Sequence, residues 1–364
     1  MKWAEVSLGT LRANAAAFRS AMGAGVELMA MVKAGAYGHG GVPAARALLD
    51  GGATWLGVAL PGEALELHEA GIAAPILVVG WSHPDTHQPL VEAGIDVTVA
   101  DPDGVDAVVS AAQRARRRAR VQLKLETGMH RQGIEPADLP GVLARLAAET
   151  ANVEVTGVFT HMADADGADP RFTELQHQRF VPLVAAVLEL APDAVVHCAN
   201  SAAALRFPHM RYGLVRPGIA LYGYLPDNCP PLAVTPAMAM RAVVTHVQTV
   251  AAGESVGYGC TWTAARKTRV ATLAAGYADG VHRAQSNRGS VVIGGTRCRM
   301  LGRVSMDQVT VDISTLPGGA RPGDVATLLG PELPADSIAA VEGTASYEVL
   351  CAVSSRVPRR FVDA

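Results

Sequence analysis

The chain has 364 residues, of which 49% are apolar and 18% charged, so it can bury a core and is unlike a disordered segment. A formal net charge of −3 gives no global field to recruit nucleic acid or an anionic membrane. Length sets a soft expectation of about two domains.

The N-terminus, Met1-Lys2-Trp3-Ala4-Glu5, lacks the apolar core of a signal peptide. The longest apolar stretch, near Phe180–Leu190, is interrupted by Glu189 and is shorter than the about 20 residues that span a bilayer. The five cysteines are widely spaced, odd in number and free of any C-x-x-C pair. That pattern predicts a reduced, cytoplasmic protein with no metal site and no membrane or nucleic-acid partner. The basic run Arg114–Arg120 reads as a solvated helix end, with a polyanion site as the other reading.

Eight short apolar runs follow one another in the first two thirds of the chain. They are Leu28–Val32, Trp55–Ala59, Pro75–Val79, Asp96–Val99, Val121–Leu125, Val155–Phe159, Ala194–His197 and Val215–Leu221. Helical patterns such as Gly62–Ala70 and Phe172–Leu190 lie between them. Strands alternating with helices imply parallel β-α units. Eight units predict a (β/α)8 barrel, and an open doubly wound sheet stays as the alternative. No Gly-x-Gly-x-x-Gly loop follows the first run, which weighs against the dinucleotide-binding form of that alternative. Pro226, Pro230, Pro231 and Pro236 then mark a linker. Beyond it, Arg241–Val250, the alternating Gln308–Ser314, Val325–Leu329, and a hairpin of Ser290–Ile293 with Thr296–Leu301 around Gly294-Gly295 predict a mostly β domain. The expected division is a barrel over 1–240 and a β-rich domain over 241–364.

Chemistry concentrates first at Met31-Val32-Lys33-Ala34-Gly35-Ala36-Tyr37-Gly38-His39-Gly40, where an apolar strand ends at a lysine. In a barrel that end faces the active site. Apolar neighbours disfavour the ammonium form and suit Schiff-base chemistry. A lone lysine at a strand end is also an ordinary surface residue, and the residues around it decide.

Those residues, with a series of further segments, resemble the alanine racemase family in order and spacing. The segments are Trp3-Ala4-Glu5-Val6, Lys124–Arg131, Thr160-His161-Met162-Ala163, His197–Ala204 and Val215-Arg216-Pro217-Gly218-Ile219. Val256-Gly257-Tyr258-Gly259, Gly276-Tyr277-Ala278-Asp279-Gly280, Gly302–Asp307 and Ser346-Tyr347-Glu348-Val349 complete the set. Each is weak alone, and their joint order is specific. The resemblance implies interconversion of L-alanine and D-alanine, with pyridoxal 5′-phosphate bound as an aldimine. It further implies a homodimer with shared active sites and a role in supplying D-alanine for peptidoglycan, with catabolism or inhibitor resistance as open alternatives.

The resemblance also assigns residues. Lys33 would carry the cofactor and act as one base; Tyr258 of the partner subunit would be the other, on the opposite face of the α-carbon. Tyr37, Ser201, Gly218, Ile219 and Tyr347 would hold the phosphate, and His161, Asn200 and Arg216 would complete the cofactor site. Arg216 would face the pyridine nitrogen, which a guanidinium serves only as donor. Arg131 and Met306 would receive the substrate carboxylate, Tyr277 and Tyr347 would narrow the pocket, and Lys124 would be carbamylated. A phenol near pKa 10 is a poor base unless cations help it, and the resemblance places His161 and Arg131 beside Tyr258. Ser201 also reads as the N-cap of a helix over Ala202–Leu205. His197 reads either as orienting Arg216 or as a core histidine. Gly35 stands where relatives usually have asparagine; Glu126 and His130 also depart from the pattern.

Other functions compete. A broader or serine-directed racemase shares the fold, but the ring of Tyr347 leaves little room beyond a methyl group. A decarboxylase of basic amino acids would carry a triple-glycine motif. A cofactor carrier without turnover would lack the β domain and Tyr258.

Overall fold

A computed structural model describes residues 1–363. Two compact units form, and the chain passes between them more than once. The first comprises Leu11–Ala36 and Gly41–Val234; the second comprises Met1–Thr10, Tyr37–Gly40 and the chain from Thr235 onward. Among the described residues, no helix is long and apolar enough to cross a membrane.

In chain order the strands are β1 (Lys2–Ser7), β2 (Glu27–Met31), β3 (Trp55–Val58), β4 (Ile76–Val78), β5 (Asp96–Val99), β6 (Ala119–Lys124), β7 (Val153–Phe159), β8 (Val195–His197) and β9 (Leu214–Val215). Strands β2 to β9 form the first unit's sheet, every neighbouring pair parallel, in the order β8-β7-β6-β5-β4-β3-β2-β9. The ends of that order, β8 and β9, share no ladder. The Arg216 N–H bonds the Ala199 carbonyl at 2.9 Å just past them and draws the seam together. The result is an eight-stranded, nearly closed barrel, with helices such as Pro61–Glu69, Pro102–Ala115 and Arg171–Leu190 between strands. Runs such as Leu28–Val32 and Pro75–Val79 read as continuous apolar stretches because parallel strands are covered on both faces.

One run is corrected. Val215–Leu221 is not a strand along its length: pairing stops at Val215, and Ile219–Tyr222 is a 3₁₀ turn. Pro217 has no N–H to continue a ladder.

The barrel interior is partly polar. Gln122 and His197 are fully buried and Asp96 nearly so. Gly157 makes the space, since a Cβ there would lie 2.8 Å from Gln122 Cδ.

The second unit adds β10 (Met238–Val250), β11 (Ser255–Val256), β12 (Trp262–Thr263), β13 (Thr268–Leu273), β14 (Ser290–Ile293), β15 (Thr296–Arg299), β16 (Val309–Asp312), β17 (Val325–Leu329) and β18 (Arg359–Val362). It is mostly β, as expected. Strands run in the order β15-β14-β17-β10-β1-β18. The long β10 shifts register between Val244 and His246 and goes on to pair with β13, which pairs with β16. Val250, Val256, Ala264, Val270 and Leu301 pack into a core beside Trp262. The segment Tyr37–Gly40 is held within this unit: Arg359 Nε donates to the Gly38 carbonyl at 2.9 Å, and a Cβ on Gly38 would meet the Leu350 oxygen.

Candidate active site

Lys33 follows β2 by two residues, and the backbone there is unusual. Ala34, Gly35, Ala36 and Tyr37 all have φ between 53° and 58°, one left-handed turn rather than an ordinary helix. Each non-glycine residue in that region costs roughly 1–2 kcal/mol. Glycine tolerates it best, which gives a physical reason for glycine at position 35. Glu63 braces the turn. Its carboxylate accepts from Ala34 N at 2.5 Å, Ala59 N at 2.9 Å and Leu60 N at 3.1 Å. The Tyr222 hydroxyl donates to the Met31 carbonyl at 2.8 Å, fixing the strand end before Lys33.

Around the C-terminal ends of the barrel strands stand Lys33, Lys124 as the last residue of β6, His161 after β7, Asn200 and Ser201 after β8, and Arg216 after β9. Four cations, Lys33, Lys124, Arg131 and Arg216, act electrostatically on the same neighbours. Burial, then Arg131, Arg216 and Lys33, depress the Lys124 ammonium to about 8, against the pull of Glu126. Glu126 itself is committed to backbone amides. It accepts from Gly128 N, and from His130 N at 3.0 Å. These bonds hold its carboxyl below the usual range although burial opposes them.

Arg216 is the most constrained of the cations. Its guanidinium donates to His197 Nδ1 at 2.7 Å, the Thr160 carbonyl at 2.8 Å and His161 Nδ1 at 3.2 Å, and lies 5.2 Å from the Phe159 ring centroid. Burial lowers it to about 10, so it stays charged at neutral pH. Burial followed by Arg216 pushes both His197 and His161 well below the usual histidine range, and both rings are neutral. Of the two readings left open for His197, orientation of Arg216 is the one its contacts support. The chain of bonds continues inward: His197 Nε2–H to Gln122 Oε1 at 2.7 Å, then Gln122 Nε2–H to Asp96 Oδ2 at 2.9 Å. Asp96 also accepts from Thr156 at 3.0 Å and Arg120 at 2.6 Å. Gln122, Asp96 and Glu63 were not singled out from sequence; a lone polar residue in a strand or helix carries no local signal of such a role.

Ser201 is corrected as a cap. Asn200 caps the helix Ser201–Arg206, its side chain accepting from Ala203 N at 2.9 Å. The Ser201 hydroxyl instead accepts from Gly218 N at 3.0 Å, joining Ser201 to the Gly218–Ile219 turn.

In the second unit, Tyr37 is buried and its ring centroid lies 6.2 Å from that of Tyr347. Burial, then Tyr347 and Cys351, raise the Tyr37 hydroxyl far above the usual phenol range. Tyr277 and Met306 are brought together: Tyr277 N bonds the Ser305 carbonyl and Ala278 N the Met306 carbonyl, both at 3.0 Å. Asp279, fully buried, holds the Gly276 amide at 3.0 Å and Lys2 at 2.8 Å. Tyr258 sits in a short turn between two left-handed glycines, 72% exposed; Met306 is 53% and Tyr277 43% exposed.

A parallel barrel with a lysine at its rim, joined to a β domain that presents tyrosines, defines a two-domain barrel enzyme class. Residues 6–226 match the family model for the alanine racemase N-terminal domain, and residues 237–361 that for the C-terminal domain. The chain belongs to the alanine racemase family. It is 42% identical to an alanine racemase of Desulforamulus reducens over 99% of this chain and 98% of that protein. It is 45% identical to one of Thermobifida fusca over 94% and 93%. A crystal structure of alanine racemase from D-cycloserine producing Streptomyces lavendulae superposes with a TM-score of 0.94 at 40% identity, covering 99% and 97% of the two chains. That of Bacillus anthracis alanine racemase with bound L-Ala-P gives 0.92 at 34% identity, covering 99% and 95%.

Proposed function

We propose that this protein is an isomerase that interconverts L-alanine and D-alanine, with pyridoxal 5′-phosphate as its cofactor. The observation that carries the reading is the convergence of Lys33, Lys124, Arg131 and Arg216 on one barrel rim, with their acidic neighbour Glu126 already spent on amides. Such a donor set fits two anions, a phosphate and a carboxylate. The cofactor, when bound, acidifies the α-proton of an amino acid by delocalising the electrons its loss leaves behind.

This chain's residues supply the rest. Lys33 would hold the cofactor and would move a proton on one face of the α-carbon. Ser201, Gly218 and Ile219, with Tyr37 and Tyr347, take the phosphate. His161 and Asn200 line the cofactor site. Arg216, charged and unable to accept a proton, would face the cofactor's ring nitrogen as a donor only. Arg131 and the backbone near Met306 receive the substrate carboxylate. Tyr277 and Tyr347 restrict the side chain to about a methyl group. The second base is the partner subunit's Tyr258, in a homodimer whose sites are shared. The exposure of Tyr258, Tyr277 and Met306 in the single chain supports that assembly. A serine-directed or broader racemase is not favoured, since the relatives described above are all alanine racemases. The resulting D-alanine would feed peptidoglycan synthesis in the cytoplasm. A chiral assay of alanine, serine, lysine and arginine with added cofactor is the direct test. Alanine should turn over at least about tenfold faster than the others, a margin of about 1.4 kcal/mol in barrier. Equal turnover of lysine would overturn the substrate assignment.

Lys124 is proposed to be carbamylated. At about 8, its ammonium leaves about a tenth of the amine neutral at pH 7, against roughly one in three thousand for an ordinary lysine. The neutral amine forms an N–C bond with carbon dioxide and releases one proton to solvent. The anion produced would sit among three cations and position Arg131. Carbon-13 NMR with labelled bicarbonate should show a carbamate signal that is absent in Lys124→Ala and fades as pH falls well below 8. An unchanged signal in the variant would remove this assignment.

A further inference from the structure

Glu174, His177 and His209 are a group of three metal-ligating side chains whose ligand atoms all lie within 4.8 Å of one another. No step of the racemisation uses them. Glu174 and His177 are three residues apart on the helix Arg171–Leu190, and so share a face. His209 comes from the 3₁₀ turn Pro208–Met210. That turn is fixed independently, by Cys198 Sγ against the Met210 carbonyl at 3.2 Å and by Arg211 Nε donating to the Ala204 carbonyl at 2.8 Å.

We propose that Glu174, His177 and His209 form a binding site for a divalent transition metal, best suited to Zn2+. Two imidazoles and a carboxylate are a donor set that Zn2+ accepts with a fourth position open to water. Bonds of about 2.0–2.2 Å in a tetrahedron space the ligand atoms about 3.3 Å apart. His209 Nε2 and Glu174 Oε2 are already 3.2 Å apart. The His177 ring stands edge-on to that of His209, centroids 5.1 Å apart at 73°, so the two imidazoles do not stack and block each other's lone pairs. Tyr212 hydroxyl lies 2.7 Å from His177 Nε2, so an ion would take Nδ1 of that ring, and Tyr212 would then serve as the outer partner that metal-bound histidines use. Glu174 and His209 are partly exposed and can close the remaining gap by side-chain rotation. A hard cation such as Mg2+ is disfavoured, because two of the three donors are nitrogen.

An ion here would tie the helix after β7 to the turn that follows the helix beginning at Ser201. It would therefore stabilise the quarter of the barrel to which the phosphate is assigned, without touching reacting atoms. Thirty-two residues separate His177 from His209, so no local spacing announces the site.

The test is titration of the holoenzyme with ZnCl2 by calorimetry, and with CoCl2 by visible absorbance. One equivalent per chain should bind in the micromolar range, Co2+ should give tetrahedral d–d bands, and added Zn2+ should raise the unfolding temperature. His209→Ala and Glu174→Gln should each weaken binding at least about tenfold and lose the Co2+ bands, while racemase activity without added metal stays at the wild-type level. Both substitutions are at partly exposed positions, so folding of the variants can be verified by circular dichroism. Stoichiometric binding retained by the double variant, or no binding to the wild type at millimolar Zn2+, would overturn the proposal.

Discussion

Lys33→Ala is expected to lower alanine racemisation by at least about a thousandfold and to abolish the absorbance of lysine-bound cofactor. On the proposed reading two functions would be lost with one amine, the covalent hold on the cofactor and a positioned base. Cofactor retained only through its phosphate and ring contacts should leave on dialysis more readily than from the wild type. The fold should survive, because the side chain belongs to the rim and not to the apolar core. A surface-type stability change within about 0.5 kcal/mol is expected. Full activity in this variant, with a wild-type spectrum, would end the assignment of Lys33.

Tyr258→Phe should cost about a hundredfold or more in racemisation, but its signature lies elsewhere. Enantiomers have equal free energy in an achiral solvent. Their kcat/KM values must therefore fall together, whichever face has lost its base. Asymmetry appears only in exchange of the α-proton with D2O. One enantiomer should continue to exchange through Lys33 while the other stops. Equal loss of exchange from both would contradict two bases on two faces. The assignment to a partner chain has its own test in the same variant. Mixing inactive Lys33→Ala and Tyr258→Phe chains gives hybrid dimers in which one of two shared sites is intact, so roughly a quarter of wild-type activity should return. No recovery, with hybrids shown to form, would place both bases in one chain.

Much of this architecture was legible, and the reasons are specific. Runs such as Leu28–Val32 and Pro75–Val79 are apolar throughout because barrel strands are covered on both sides, and that pattern survives without knowledge of neighbours. Strand β1 was not legible. Its partners, Met238–Val250 and Arg359–Val362, lie more than two hundred residues away, and nothing within Lys2–Ser7 names them. The left-handed turn after Lys33 was equally hidden, since Ala-Gly-Ala is unremarkable in sequence and acquires its conformation from bracing by Glu63. The site divides in the same way. Lys33, Arg216 and Tyr258 stood out through motif order, whereas Asp96 and Gln122 are polar residues inside strands whose partners only the folded barrel supplies. Ser201 shows how local chemistry misleads. A serine before an apolar helix is a good cap, yet Asn200 takes that place and frees the serine hydroxyl for Gly218.

The buried bonds from Arg216 through His197 and Gln122 to Asp96 all run in one direction, each group donating to the next. The first donor cannot release its proton at neutral pH, and the amide of Gln122 cannot pass one on. This chain of bonds is thus no route for a proton from the rim into the barrel interior. On the proposed mechanism, a proton taken from substrate would then not be lost along this chain of bonds and would stay with a base at the rim.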